Sequence, residues 1–102
     1  MSIQVADIND LPRGATLCVD IEGREILLCH TAEGVFAVDN LCSHAAARLC
    51  EGKLKGNRIL CPLHAAAFDV RDGAALSRPA VRPIASHLVD VDGDTIRVTL
   101  AD

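Results

Sequence analysis

The chain has no tryptophan and no tyrosine, and Phe36 and Phe68 are its only large aromatic residues. Without stacking side chains, and with sparse basic charge, it does not read as a nucleic-acid binder. No apolar run approaches the roughly 20 residues needed to span a bilayer, so no membrane span is expected. Residues 1–10 carry acids and no basic stretch, so they do not read as a secretion signal, and a cytoplasmic location is expected. There is no Ser/His/Asp order, no glycine-rich phosphate loop and no paired glutamates. The usual catalytic constellations are therefore absent, and the chain is expected not to be an enzyme. Cysteine, by contrast, is plentiful, with five residues. In a reducing compartment they argue for metal ligands and buried thiols rather than disulfides.

At 102 residues the chain has length for one domain, 1–102, and no second. Half of its residues are hydrophobic, so a core is possible, although a domain this small gains from a stabilising metal. The pattern predicts an all-β fold. Thr16–Ile21 and Arg24–Thr31 are rich in β-branched and aliphatic residues, and Glu22-Gly23 between them suits a two-residue hairpin. Short strands are expected at Val35–Val38, Arg58–Cys61 and Ala67–Val70. His87–Val91 and Thr95–Leu100 flank a turn at Asp92-Gly93-Asp94. Ile96, Val98 and Leu100 alternate with Arg97 and Thr99, as in a half-buried strand. Residues 42–55 show no strand pattern, and Ala45–Leu49 is expected to make a turn of helix. Short strands with frequent turns point to a sandwich or an incomplete barrel.

Four residues stand out on the loops. Cys42 and His44 form C-S-H; sixteen residues later Cys61 and His64 form C-P-L-H. Thiolate and imidazole at such spacing are metal ligands. A structural zinc site could use the same Cys₂His₂ atoms. Zinc fingers, however, pair cysteine with cysteine and histidine with histidine, whereas each loop here carries one of each. That arrangement suits a dinuclear cluster in which two thiolates hold one iron and two imidazoles the other.

At these residues the chain resembles the Rieske ferredoxins, and in particular the ferredoxin component of bacterial aromatic-ring-hydroxylating dioxygenase systems. The resemblance rests on C-S-H-A-A-A-R-L at 42–49, G-N-R-I-L-C-P-L-H at 56–64, A-F-D-V-R-D-G at 67–73, R-P-A at 78–80 and V-D-V-D-G-D-T-I-R-V near the C-terminus. It implies a Rieske fold of small antiparallel sheets with an inserted cluster-binding subdomain at about 40–82. It also implies one [2Fe–2S] cluster held by Cys42 and Cys61 on one iron and His44 and His64 on the other, with the Pro79 loop covering it. The implied function is one-electron transfer from a flavin-containing ferredoxin reductase to a terminal oxygenase, by a monomer with no substrate chemistry of its own. The alternatives are a small subunit like that of assimilatory nitrite reductase, or a structural zinc module. High-potential relatives carry an extra cysteine in each loop; Ala47 and Leu63 stand there instead. Ala66 and Phe68 stand where those relatives place hydroxyl donors near the cluster. Hydrogen bonds to sulfur favour the reduced cluster, so their loss lowers the potential, to an expected value near about −150 mV. In one departure, Ala65 follows the second histidine where relatives commonly have glycine.

Net charge is −4, but the stretch from Cys42 to Arg82 has seven basic residues against three acids. This segment could dock on an acidic partner; the plainer alternative is that these side chains merely solvate loops. Cys18 and Cys29 are expected to be small core residues and Cys50 to serve packing near the first ligand loop. His30 and His87, without neighbouring cysteines, are expected to be ordinary surface or half-buried histidines. Asp69 and Asp72 are expected to shape the turn at Gly73.

Overall fold

Ile26–Cys29 is an apolar run with no alternation, and all four side chains are buried. A strand buried on both faces reads this way. It lies in β3 (Arg24–Thr31), which pairs antiparallel with β2 (Thr16–Ile21) and β4 (Gly34–Asp39). Ile26 and Leu28 point into one core, Leu27 and Cys29 into another. The same alternation sends Val35 and Ala37 of β4 one way and Phe36 and Val38 the other. Burial pushes the Cys29 thiol up to about 12, so it stays neutral.

These strands come from a computed structural model, which describes residues 2–43, 47–63, 66–78 and 82–101. The remaining strands are β1 (Ser2–Asp7), β5 (Lys53–Lys55), β6 (Arg58–Leu60), β7 (Ala67–Asp69), β8 (Ser86–Asp92) and β9 (Thr95–Thr99). Six of the nine form one sheet in the order β1-β9-β8-β4-β3-β2, and β5-β6-β7 form a second. The large sheet is nearly closed, as an incomplete barrel should be. Its interior holds Leu11, Ile21, Ile26, Leu28, Ala37, Ile96 and Val98. The other core includes Leu27, Cys29 and Val38 from the large sheet with Ile59 and Phe68 from the small one.

The all-β expectation holds, with local corrections. β1 was not expected; it pairs with β9, and its register shifts between Gln4 and Ala6. β5 also lay in a stretch read as patternless. Leu54 turns toward the core while Lys53 and Lys55 stay in water, an alternation too short to notice. The expected helical turn at Ala45–Leu49 lies partly outside the described residues. A 3₁₀ turn instead occupies Leu49–Glu51. The turn at Glu22-Gly23 is as expected: φ is 53° and 84°, the positive pair that matches the twist of a two-residue hairpin.

Candidate metal centre

Cys42 and Cys61 each follow the end of a strand and open a loop closed in the same way. The Cys42 N–H donates to the Ala47 carbonyl at 2.9 Å, and the Cys61 N–H donates to the Ala66 carbonyl at 2.7 Å. Both cysteines are buried, at 5% and 2% exposure, and their side chains are hydrogen-bonded to one another. None of the five cysteines is disulfide-bonded. Burial, the largest influence, pushes the Cys61 thiol above its ordinary value. The Leu63 backbone N–H aimed at its sulfur lowers it, and neighbouring Cys42 raises it again.

Two soft donors in contact in a dry interior, one with a backbone N–H directed at its sulfur, suit a shared metal centre. A bound thiolate gains more from that N–H than a neutral thiol does. The cysteine half of the expected ligand set is thus brought together. His44 and His64 lie outside the described residues, as do Ala65 and Pro79. Among the described residues, no group of three or more His, Cys, Asp or Glu is placed to hold a metal.

A third segment reaches the same place. The Ser43 hydroxyl donates to the Arg82 carbonyl at 2.6 Å, joining the first ligand loop to the chain after Pro79. The base of that third segment is pinned where the Ile84 N–H donates to the Gly73 carbonyl. Gly73 has φ of 82°, and a Cβ there would lie 2.0 Å from the Ile84 carbonyl oxygen, so glycine is required. Asp69 and Asp72 shape this turn as expected. Asp69 Oδ1 accepts from the Arg71 N–H and Asp72 Oδ1 from the Ala74 N–H, each at 2.9 Å.

Asn40 was missed by sequence reasoning. It is fully buried two residues before Cys42. Its carbonyl accepts from the Leu49 N–H at 2.7 Å, and its Oδ1 accepts from the Cys50 N–H at 2.9 Å. Its own N–H donates to the Glu25 carbonyl at 3.0 Å, and its Nδ2 donates to Glu25 Oε1 at 3.1 Å. One side chain therefore ties the entry and exit of the first ligand loop to β3. The only signal was an amide beside the motif, indistinguishable in sequence from a turn residue.

Other expectations need correcting. Cys18 is exposed, not core. Cys50 does pack against the core between the sheets, as expected. His87 is no surface residue: its ring is buried, Nδ1 accepts from the Ala101 N–H, and Nε2 bonds Asp39 Oδ1. His30 is half-buried, with Nδ1 2.7 Å from the Leu11 carbonyl oxygen. The basic segment is also less free than its sequence suggests. Arg48 pairs with Glu25, and Arg71 with Asp69 and Glu33. Lys53, Lys55, Arg58, Arg78 and Arg82 are exposed and have no ion pair among the described residues.

Known proteins resemble this chain in sequence and in fold. The Rieske [2Fe-2S] domain family matches residues 1–88. The ferredoxin component of the naphthalene 1,2-dioxygenase system of Pseudomonas aeruginosa is 37% identical over 99 residues, covering 97% of this chain and 95% of that one. The ferredoxin of carbazole 1,9a-dioxygenase from Nocardioides aromaticivorans IC177 superposes with a TM-score of 0.92 at 38% identity, covering 96% of each chain. A ferredoxin solved in complex with the oxygenase of carbazole 1,9a-dioxygenase gives 0.90 at 28% identity, covering 95% of this chain and 91% of that one. A protein described as a nitrite reductase small subunit gives 0.83 at 21% identity, covering 98% of this chain and 99% of that one, a likeness of fold alone. The chain belongs to the Rieske [2Fe–2S] domain family.

Proposed function

We propose that the chain is a one-electron carrier that passes electrons from a flavin-containing reductase to a terminal aromatic-ring dioxygenase. In this reading Cys42 and Cys61 hold one iron of a [2Fe–2S] cluster, and His44 and His64 hold the other. The observation that carries it is the buried contact of Cys42 and Cys61, delivered by two loops with the same closure. When bound, the cluster supplies one-electron chemistry, and two neutral imidazoles in place of thiolates raise its potential. The protein excludes water from the cysteines and directs the Leu63 N–H at one sulfur. Ala66 and Phe68 are fully buried and carry no hydroxyl, which keeps the potential at the low end of the Rieske range, near about −150 mV.

Leu41 and Leu63 flank the two cysteines in sequence and are each 48% exposed; Leu76 is 46% exposed. With Arg78 and Arg82, also exposed, they are side chains available to a partner. The reading takes residues 1–102 as one domain with its cluster-bearing part at about 40–82. It takes the carrier to be monomeric and cytoplasmic. Among the described residues no helix is long and apolar enough to cross a membrane.

The test is spectroscopic. The purified protein should be brown and should give a rhombic EPR signal after one-electron reduction. His64→Ala should abolish that spectrum. A retained native spectrum would reject His64 as a ligand, and a colourless protein holding zinc would reject the carrier. A midpoint above about +100 mV would overturn the low-potential assignment. Electron transfer to an acidic partner should slow as salt rises.

A further inference from the structure

Cys18 and Cys50 belong neither to the ligand pair nor to the sealed interior. Cys18 lies on β2, the edge strand of the large sheet, opposite Leu27. Leu27 faces the core between the two sheets, whereas Leu17 and Val19 pack against the barrel core. Cys18 therefore stands on the face that carries the small sheet, at its open margin, exposed to solvent. Cys50 lies in the 3₁₀ turn, half-buried against the same core. β2 packs against this turn, which brings the Cys18 and Cys50 thiols beside one another. Asn40 holds Cys50 in place: its Oδ1 accepts from the Cys50 N–H at 2.9 Å, and its Nδ2 donates to Sγ at 3.5 Å.

An exposed thiol in contact with a shielded one is the arrangement of an attacking and a resolving cysteine. We propose that Cys18 and Cys50 form an oxidisable dithiol that closes into an intrachain disulfide, stapling the edge of the large sheet to the cluster-bearing half. The oxidant is a low-molecular-weight disulfide. The Cys18 thiolate attacks one of its sulfurs, forming a mixed disulfide and releasing one thiolate. The Cys50 thiolate then attacks the Cys18 sulfur and releases the second. Two protein thiols are oxidised, one small disulfide is reduced to two thiols, and the two protons pass from the protein to the released thiolates.

The environment makes this slow. Burial, Cys50 and Glu25 all push the Cys18 thiol above its ordinary value, so little thiolate is present at neutral pH. Closure answers a sustained oxidising pool. The loop it closes includes Cys42 and Asn40, so the staple would stiffen the support of the first ligand loop.

The experiment is incubation of the protein as isolated with excess oxidised glutathione, followed by alkylation, peptide mapping and a visible spectrum. The expected product is a monomer two hydrogens lighter, with a Cys18–Cys50 linkage and the visible spectrum retained. Cys50→Ser should stop at one glutathione on Cys18, and Cys18→Ser should take up none. Four results would overturn the proposal: a lasting glutathione adduct on wild-type Cys18, a disulfide between two chains, a bridge containing Cys42 or Cys61, or no reaction in large excess. The wild-type mapping decides even if the Cys50 variant folds poorly.

Discussion

The loops opened by Cys42 and Cys61 close alike and are held differently. The loop opened by Cys42 hangs on a polar node: buried Asn40, with Glu25 and Arg48 beyond it. The loop opened by Cys61 hangs on apolar packing, because β6 and β7 carry Ile59 and Phe68 into the core, both fully buried. The same closing bond can thus rest on hydrogen bonds, which are directional and fail when one partner is lost, or on volume, which fails by leaving a cavity. This contrast predicts different failures on the two sides. The largest belongs to the second loop. Phe68→Ala should cost about 3–5 kcal/mol in chemical denaturation. A cost no greater than that of a surface substitution would remove packing as the support of Cys61.

Gly52 sharpens the same side. A Cβ there would meet the Leu60 carbonyl oxygen at 1.7 Å, one residue before Cys61. Backbone cannot yield as a side-chain tip can, so Gly52→Ala should push β5 away from β6 and cost about 3 kcal/mol. The visible spectrum should shift, because the strand that aims Cys61 moves. A variant with wild-type stability and spectrum would show that this approach is not needed.

On the first loop, Asn40→Ala should cost about 2 kcal/mol, mainly by leaving the Cys50 N–H without its acceptor; Glu25 Oε1 loses one donor but keeps Arg48. Unlike a cavity at Phe68, it should alter the reduction potential and visible spectrum even where the protein remains folded. Asn40→Asp should restore the acceptor for the Cys50 N–H and not the donor to Glu25, so the rescue should be partial. Full rescue, or a purely additive stability loss without spectral change, would reduce Asn40 to ordinary packing.

Much of this was legible in the chain. The hairpin at Glu22-Gly23 and the alternation of Ile96 and Val98 announced their strands because turn chemistry and period are local properties. The motif pointed to Cys42 and Cys61, which the fold brings together, because the spacing within each loop is local too. Asn40 was illegible because its burial depends on Glu25 and Cys50, fifteen and ten residues away. Cys18 was misplaced for a related reason. Its neighbours on β2 are apolar, but an edge strand leaves part of one face uncovered, and strand order is not written in a strand's own residues. The docking charge was overcounted because pairing of Arg48 with Glu25 and of Arg71 with Glu33 joins segments that the sequence separates.

The smallest effect lies at the outer end of the polar node. Arg48 and Asn40 both bond the Glu25 carboxyl and hold it below the ordinary carboxylate range. A carboxyl whose folded value lies below its unfolded one adds stability above the unfolded value. That stability is lost as pH falls through the carboxylate range, about pH 4. Glu25 and Arg48 are solvent-accessible, so the contribution is small and screened by salt. The denaturation midpoint should therefore hold above about pH 5 and fall as the pH drops from about 5 to about 3, and Arg48→Gln should flatten that fall at low salt. Lys53→Gln, beside the second loop and without an ion pair among the described residues, should leave the slope unchanged. Equal flattening by both substitutions would mean that the pH dependence reports overall charge, and that the first loop does not depend on its polar anchor in the way its hydrogen bonds imply.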